Sequence, residues 1–218
     1  MIQIETYCRI GQRNLERSLP CQDWVSHAQK GSVTAIALAD GTGQTAHATL
    51  GAMATANTLA NHLAQHFRTL LDRSDDAVRY DVLATVRQAL YDLCDMHQTE
   101  LKSFSSTFLA AAADEKTGQF LLVHLGDGTA RAETETEIKM LSYGEHGASP
   151  RYTVLSTTQG ALPHIRIVRG STADLTRLCL YSDGWGSELP RQFPEHDPQM
   201  IDDTSAICLT FHCKTDTM

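Results

Sequence analysis

The stretch "CLYSDGWGSEL", residues 179–189, ends an apolar run in an aspartate followed by a glycine, and Asp183 is that aspartate. The same pattern occurs twice earlier, at Asp40 in "VTAIALADGTG" and at Asp127 in "FLLVHLGDGTA". An Asp-Gly pair makes an ordinary turn in many proteins, so each pair alone indicates only that a strand ends there. Four acids, Asp23, Asp40, Asp183 and Asp202, fall at predicted strand ends or loop edges. If these carboxylates converged they would repel one another, and a divalent cation with oxygen ligands would remove that repulsion. The repeated pair leaves two interpretations open, three separate turns or one metal site.

The composition of the chain narrows the choice of function. A length of 218 residues with 42% hydrophobic residues is enough for a substantial core, and we expect one domain over residues 1–218. The formal net charge of -8 argues against nucleic acid or an anionic membrane as a main partner. An excess of acidic groups suits a protein that gathers carboxylates around a cation.

The N-terminal segment and the cysteines predict a cytoplasmic protein. Residues 1–14 lack the basic and then apolar layout of a secretory signal, and no apolar run approaches the ~20 residues that span a bilayer. The six cysteines are scattered without a C-x-x-C pair, so we expect buried thiols, with disulfides as the alternative. Four of the cysteines occupy strand-like segments: Cys8, Cys179, Cys208 and Cys213.

Hydrophobic periodicity predicts strands near both ends of the chain and two helices between them. The helices cover residues 45–73 and 76–101, where apolar residues recur every three or four positions, and "RSDD" supplies N-cap candidates for the second. Residues 12–22 and 190–199 are predicted loops. The predicted strands are 1–11, 23–29, 33–40, 105–114, 118–127, 136–143, 151–158, 165–171, 176–183 and 202–213. This order indicates an α+β fold rather than the regular β-α alternation of a parallel sheet.

Six short motifs follow one another along the chain: "PCQD", "ALADGTG", "SSTFLAA", "VHLGDGTAR", "LYSDGW" and "DDTSAICL". Together they resemble the motif order of the type-2C, metal-dependent (PPM-type) serine/threonine protein phosphatases. The resemblance is closest to the compact bacterial branch, whose first motif carries Gln-Asp instead of Glu-Asp, and it spans Gln22 to Leu209. It implies a four-layer αββα sandwich, in which two antiparallel β-sheets are flanked by helices. The short interval between Asp127 and Asp183 implies a reduced flap.

The resemblance assigns metal ligands to the strand-end aspartates. Asp40 matches the aspartate that bridges two metal ions, and the backbone carbonyl of Gly41 matches a ligand of the second ion. Asp183 and Asp202 match the carboxylates that hold the first ion. Asp40, Asp183 and Asp202 are therefore the expected catalytic set.

Two further acids match weaker metal contacts of the family. Asp23 matches an acid that acts mainly through metal-bound water, and Asp127 matches a contributor to a third, weaker metal site. The resemblance thus implies two or three Mn²⁺ or Mg²⁺ ions. Two such ions about 3.5–4 Å apart can share one water and lower its pKa, so that a bridging hydroxide attacks phosphorus in line. The implied activity is hydrolysis of phosphoserine and phosphothreonine in proteins.

The chain departs from the larger family members at the position that binds the substrate phosphate. Those members have an arginine four residues before the Glu-Asp pair, and this chain has Ser18 there. Arg17, and as second choice Arg13, lie in the same loop and can reach in from neighbouring positions, although solvated loop charges are an equal alternative. An arginine suits the role because its planar fork can bind two phosphate oxygens at once.

Other departures concern the nucleophile and the general acid. Cys21 precedes Gln22, but the glycine-rich loop and arginine of a cysteine phosphatase are missing, so we interpret this thiol as structural. The family often has a histidine shortly after its Asp-Gly motif, where this chain has Thr42 and Thr45. His47 is nearby, and a histidine on the helix surface is the simpler interpretation of it.

Two functions remain open on the sequence. The intact aspartates favour an active protein phosphatase, and the missing arginine and Gln22 favour a pseudo-phosphatase that acts as a binding or regulatory module. Compact relatives often work beside a cognate bacterial kinase and a von Willebrand-type protein, so the resemblance suggests these partners in addition to a phosphorylated substrate protein.

Overall fold

The apolar segments form strands that pair into two five-stranded antiparallel sheets. The computed structural model describes residues 2–42, 46–145, 152–186, 189–194 and 200–212. Its strands are β1 (Ile2–Arg9), β2 (Asp23–Lys30), β3 (Val33–Asp40), β4 (Phe108–Asp114), β5 (Gln119–Leu125), β6 (Thr129–Glu133), β7 (Ile138–Ser142), β8 (Arg166–Ser171), β9 (Arg177–Tyr181) and β10 (Thr204–Phe211). The order is β1-β10-β9-β6-β7 in the first sheet and β2-β3-β4-β5-β8 in the second.

Side-chain alternation in the central strands separates two cores. On β3, Ile36 and Leu38 pack between the two sheets, whereas Ala35, Ala37 and Ala39 face the opposite way. Successive side chains of a strand point to opposite faces, so the small residues make room on the outer face of the second sheet. That face packs against helices, which is why every residue from 33 to 39 is buried.

Two long helices cover the outer face of the second sheet. Helix α2 (Ala46–Leu71) lies on β2, β3 and β4, and helix α3 (Asp75–His97) packs against α2. The Ser74 hydroxyl accepts a hydrogen bond from the backbone of Ala77 at 3.3 Å, and this is the N-cap that the sequence predicts. The predicted α+β sandwich of two antiparallel sheets with helices is confirmed.

Three local predictions are wrong. A short helix α1 (Gln12–Glu16) lies inside the predicted loop. Residues 152–158 do not form the predicted strand, because Thr153 makes only an isolated bridge and a turn begins at Ser156, and Arg151 lies outside the described residues. The sequence also gave no indication of β6, because it alternates alanines with charged residues. Arg131 and Glu133 are nonetheless buried as an ion pair with atoms 2.6 Å apart, and this arginine also donates to the carbonyl of Leu189.

The cysteines differ from the prediction of reduced thiols. Cys179 and Cys208 lie directly opposite each other in β9 and β10, with Cα atoms 4.1 Å apart, and a disulfide joins them. The prediction is wrong for this pair because the strand register, which composition does not give, brings the two sulfurs together. Cys8, Cys21 and Cys94 are free thiols, and Cys213 lies outside the described residues.

Among the described helices, none is both long enough and apolar enough to cross a lipid bilayer.

Candidate metal centre

Three of the strand-end aspartates converge at one end of the sandwich. Asp40 is the last residue of β3, Asp127 follows β5 and Asp183 follows β9, so both sheets contribute. One carboxylate oxygen from each of the three lies within 4.8 Å of the other two. Among the described residues, no ion pair joins any of them to a lysine or arginine. The three residues form the aspartate triad.

The strand register holds Asp40 and Asp23 beside each other. They are direct partners in the antiparallel pairing of β2 with β3. The backbone of Asp40 is held by Thr107, the residue before β4, because the Asp40 N–H donates to the Thr107 hydroxyl at 3.2 Å and the Asp40 carbonyl accepts from the Thr107 N–H at 2.9 Å. Through Thr107, the "SSTF" segment therefore aligns the metal-site end of β3.

Glycines beside the aspartates permit close backbone contacts. A Cβ on Gly41 would lie 2.3 Å from the carbonyl oxygen of Ala48 in α2, and a Cβ on Gly184 would lie 1.9 Å from the carbonyl oxygen of Asp203. Both distances are far shorter than van der Waals contact, so any side chain would push the neighbouring backbone away. The Asp-Gly pairs thus serve packing at this end of the sandwich, independently of any contact with an ion.

Asp202 lies beside the aspartate triad but is not one of its members. Its Oδ2 atom accepts a hydrogen bond from Arg13 at 2.7 Å, and its side chain is 44% exposed. It is nevertheless close enough that its charge raises the pKa of both Asp40 and Asp183. The structure therefore brings together the predicted acids Asp40, Asp127 and Asp183, with Asp202 at their edge.

Burial and mutual repulsion raise the pKa of several acids at this end. Burial is the main cause at Asp40, whose pKa is well above its ordinary value, and the charges of Asp23 and Asp183 add to it. Burial raises the pKa of Asp23 to about 7, against the opposing effect of nearby serine hydroxyls. Loss of hydration raises the pKa of Asp183 to about 6, with further contributions from the charges of Asp127 and Asp202. Such shifts are typical of carboxylates that lack a counter-charge.

The carboxylate oxygens fit a hard divalent cation. Asp23 Oδ2 and Asp127 Oδ1 are both buried without a hydrogen-bond partner among the described residues. The second oxygen of Asp127 accepts a hydrogen bond from the Thr153 hydroxyl at 2.5 Å. A buried carboxylate oxygen without a donor is costly, and a cation such as Mn²⁺ or Mg²⁺ satisfies it. The residues present therefore suit the metal that the sequence predicts.

The two candidate arginines lie at opposite ends of helix α1. The guanidinium of Arg13 pairs with Asp202, and the backbone N–H of Arg13 donates to the carbonyl of Ile201 at 3.1 Å. Arg17 caps the C-terminus of α1 and is exposed, and its side chain makes no ion pair among the described residues. Ser18 follows with a φ of 54°, a left-handed conformation, and is also exposed. Which arginine binds phosphate stays a prediction.

The candidate general acids occupy other places. His47 lies in α2 as predicted, and it is partly buried against Phe104 and His97, with ring centroids 5.3 and 5.4 Å away. Thr42 donates its backbone N–H to the carbonyl of Ser105 at 3.0 Å. Thr45 lies outside the described residues.

Asp203 is the residue that the sequence analysis missed. It is 4% exposed, and its two oxygens accept three hydrogen bonds: from the Gly11 N–H at 2.7 Å, the Asn14 amide at 2.8 Å and the Gln22 N–H at 2.6 Å. It thereby fixes Asp202, its neighbour in the chain, against the loop that leads to Asp23. The second aspartate of "DDTS" is the only sequence signal for this role.

Comparisons with known proteins identify the family and the fold. A family model described as Protein phosphatase 2C matches residues 10–210. The S. agalactiae serine/threonine phosphatase is similar in structure, at 15% identity and a TM-score of 0.70, over 97% of this chain and 100% of that one. Serine/threonine phosphatase Stp1 from Staphylococcus aureus is similar at 11% identity and a TM-score of 0.66, over 97% and 96% of the two chains.

A third similar structure comes from work on the bacterial stressosome, a modular system that has been adapted to control secondary messenger signaling. It shares 12% identity at a TM-score of 0.55, over 96% of this chain and 99% of that one. At such identities the likeness concerns the fold alone. A comparison of the sequence with curated proteins gave no match.

Proposed function

The chain belongs to the protein phosphatase 2C family, and from that premise we propose that it removes phosphate from phosphoserine and phosphothreonine in proteins with bound Mn²⁺ or Mg²⁺. The observation that supports this proposal best is the aspartate triad, whose oxygens lie within 4.8 Å of one another. Raised pKa values at Asp40 and Asp183 support the proposal further. Carboxylates that repel each other are stabilised when a divalent cation binds between them.

We assign the metal contacts to the predicted acids. Asp40, Asp183 and Asp202 would hold two ions together with the carbonyl of Gly41, and Asp127 would contribute to a third. Bound there, two such ions supply an acidified water as the nucleophile and offset negative charge on the phosphoryl oxygens. Asp23 lies beside Asp40 in the strand register and is buried, and it would act mainly through metal-bound water.

The protein's own cation for the phosphate would come from helix α1. A dianionic phosphate beside the metal centre gains from a charge-assisted hydrogen bond, and a guanidinium can offer two parallel ones. Arg17 is the first candidate because its side chain is exposed and lies next to Ser18, the position of the family arginine. Arg13 is the second candidate, since its pairing with Asp202 already brings it to the edge of the aspartate triad.

A binding module without catalysis is the second candidate function. The 2.7 Å contact between Arg13 and Asp202 favours it, because a carboxylate neutralised by arginine is a weaker metal ligand. Ser18 and Gln22 favour it as well, since each replaces a charged residue of the larger family members.

Hydrolysis measurements separate the two functions. We expect the protein to hydrolyse p-nitrophenyl phosphate and a phosphothreonine peptide with Mn²⁺, and to stop when a chelator is added. Calorimetric titration with Mn²⁺ runs in parallel on the same sample. Binding of Mn²⁺ without hydrolysis of either substrate would favour the binding module, and absence of both would contradict the metal centre itself.

The partners and the cytoplasmic location are proposals of the same kind. A phosphoprotein substrate follows from the family, whereas a cognate kinase and a von Willebrand-type protein are supported only by the resemblance to compact bacterial relatives. The structural likeness to a stressosome protein agrees with a signalling role. Inspection of the neighbouring genes for a kinase and a von Willebrand-type protein tests this point directly.

A further inference from the structure

Two free thiols lie side by side near the metal centre. The sulfur atoms of Cys8 and Cys21 are 3.7 Å apart, and both residues are partly buried. Each sulfur also lies 3.7 Å from the backbone carbonyl oxygen of Asp23. The nearest thiol to each sulfur is therefore the other member of the pair, in a place that small solutes can reach.

The two cysteines belong to different parts of the sandwich. Cys8 is in β1 of the first sheet, where it is paired in register with Ser205 of β10. Cys21 is in the loop that enters β2 of the second sheet, two residues before Asp23. A covalent bond between the two sulfurs would consequently tie the first sheet to the loop that leads to the metal-site acids.

The backbone at Cys21 and Gln22 is hydrogen-bonded to helix α2 and to the chain neighbours of two predicted metal ligands, Asp40 and Asp202. The Thr49 hydroxyl of α2 donates to the Cys21 carbonyl at 3.0 Å. The Gln22 N–H donates to Asp203 at 2.6 Å, and the Gln22 carbonyl accepts from the Gly41 N–H at 3.0 Å. A movement of Cys21 therefore reaches the neighbours of Asp202 and Asp40 through single hydrogen bonds.

We propose that Cys8 and Cys21 form a redox pair, in which closure of a disulfide weakens metal binding and reduction restores it. The proposal rests on the metal centre of the proposed function. A disulfide has an S–S length of about 2.05 Å, so the sulfurs must approach by roughly 1.7 Å from their present separation. Because Cys8 is held in the β1–β10 pairing, the loop at Cys21 makes most of that movement.

The oxidant is a peroxide. One thiolate attacks a peroxide oxygen, the O–O bond breaks, and the sulfur becomes a sulfenic acid while the other peroxide oxygen leaves as water or an alcohol. The second thiol then attacks that sulfur, the S–S bond forms, and the sulfenic oxygen leaves as water. The two thiols lose two electrons and two protons in total, which the peroxide takes up.

Mass spectrometry and metal titration test the proposal together. Wild-type protein, Cys8→Ser, Cys21→Ser and the control Cys94→Ser, which removes the partly buried thiol of α3, are each treated with hydrogen peroxide. We expect proteolytic mapping to find a Cys8–Cys21 linked peptide in the wild type and in Cys94→Ser only. We expect the Mn²⁺ affinity of these two proteins to fall about tenfold on oxidation, the lower end of losses seen when a partner of a metal ligand is disturbed. Dithiothreitol should restore it.

The possible outcomes separate this inference from the proposed phosphatase activity. Absence of the linked peptide in the wild type would overturn the redox pair. A linked peptide with unchanged Mn²⁺ affinity would overturn its coupling to the metal centre, as would an equal loss of affinity in Cys8→Ser. If the Mn²⁺ affinity falls on oxidation and returns on reduction, but the reduced protein hydrolyses neither substrate, the redox pair stands and only the proposed phosphatase activity is contradicted.

Discussion

Two aspartates at opposite ends of the second sheet follow almost the same sequence. Asp40 ends β3 after "ALA", and Asp114 ends β4 after "AAA". Because β3 and β4 are antiparallel neighbours, the last residues of these strands lie at opposite ends of the sandwich along the strand direction. The Asp114 side chain is fully buried, and that of Asp40 is partly buried. Their environments differ in what surrounds the carboxylate.

One oxygen of Asp114 accepts a hydrogen bond, and the other, which has no hydrogen-bond donor among the described residues, faces a positive charge. Its burial would raise its pKa, but the hydroxyl of Ser32, the backbone N–H of Lys116 and the charge of Arg68 outweigh that effect, and the pKa is lowered. The N–H of Lys116 donates to it at 3.0 Å, and the guanidinium of Arg68 is 3.6 Å away. This aspartate closes a turn.

Asp40 has the opposite environment. Its nearest charges are other carboxylates, and its pKa is raised well above the ordinary value by burial and by those charges. The comparison teaches that an acid at a strand end is a turn residue when the chain provides donors, and a candidate metal ligand when the chain provides more acids. Four predictions follow from this difference.

The largest effect is expected at Asp40 itself. Asp40→Asn should lower the rate of Mn²⁺-dependent hydrolysis at least about a hundredfold, because a metal ligand is lost. Mutation of a residue that only hydrogen-bonds to a metal ligand already lowers metal affinity or activity about 10–100-fold. Asp114→Asn, the matched control, should leave the rate unchanged because its amide oxygen can still accept from Lys116. Steady-state kinetics with circular dichroism as a check on folding gives the answer. Full activity in Asp40→Asn would contradict the assignment of Asp40 as a metal ligand and of Asp114 as a turn residue only.

The next effect concerns Asp203, a buried aspartate with three donors that lies at the metal end. Asp203→Ala should lower the free energy of unfolding by about 3 kcal/mol, because three buried donors lose their acceptor. Unlike Asp114→Ala, which should also destabilise, it should weaken Mn²⁺ binding about tenfold or more, since Asp202 loses its support. Urea unfolding and Mn²⁺ titration of both variants separate the two losses. Equal Mn²⁺ affinities would assign Asp203 to folding alone.

The arginines provide a third contrast between the ends. Arg17→Ala should raise KM for a phosphopeptide and lower kcat/KM about tenfold or more, the loss of a charge-assisted hydrogen bond of about 1.5–3 kcal/mol. Arg68→Ala, which removes the cation beside Asp114, should change neither constant. If Arg17→Ala and Arg13→Ala both behave like wild type, the metal ions alone hold the phosphate.

The smallest effect is the pH dependence of the metal-free protein. The pKa of Asp23 is about 7 in the folded state against an ordinary value of 3.8, so the folded state binds this proton more tightly than the unfolded state. The free energy of unfolding should therefore rise as the pH falls through this window, and Asp183, with a pKa of about 6, acts in the same direction.

Thermal unfolding in a chelator at several pH values measures that dependence. We expect the melting temperature to increase by a few degrees between neutral and mildly acidic pH, with a smaller increase in Asp23→Asn. Saturating Mn²⁺ should remove the increase, since the ion replaces the protons. The lowered pKa of Asp114 has the opposite sign, because its contribution is lost as the pH falls through its folded-state value. If the melting temperature instead falls steadily as the pH is lowered, acids with a lowered pKa, such as Asp114, dominate the pH dependence.

Much of the molecule was predictable from the sequence because the signals are local. Apolar runs and helical periodicity gave β3, β4, α2 and α3 close to their observed bounds, since each depends on neighbouring residues along the chain. The strand-end positions of Asp40, Asp127 and Asp183 were readable in the same way. Strand β6 was not, because its charged residues are buried against carbonyls of the distant segment at Leu189, which no local pattern reports.

By itself, the sequence determined which segments become strands and helices and which acids stand at strand ends. Only the tertiary structure decided that Asp40 meets other carboxylates whereas Asp114 meets donors, that Asp203 supports Asp202, and that Cys8 lies beside Cys21. The physical reason is that a side chain's pKa and its hydrogen bonds depend on atoms within a few ångströms. At these positions those atoms come from parts of the chain that are far apart in sequence.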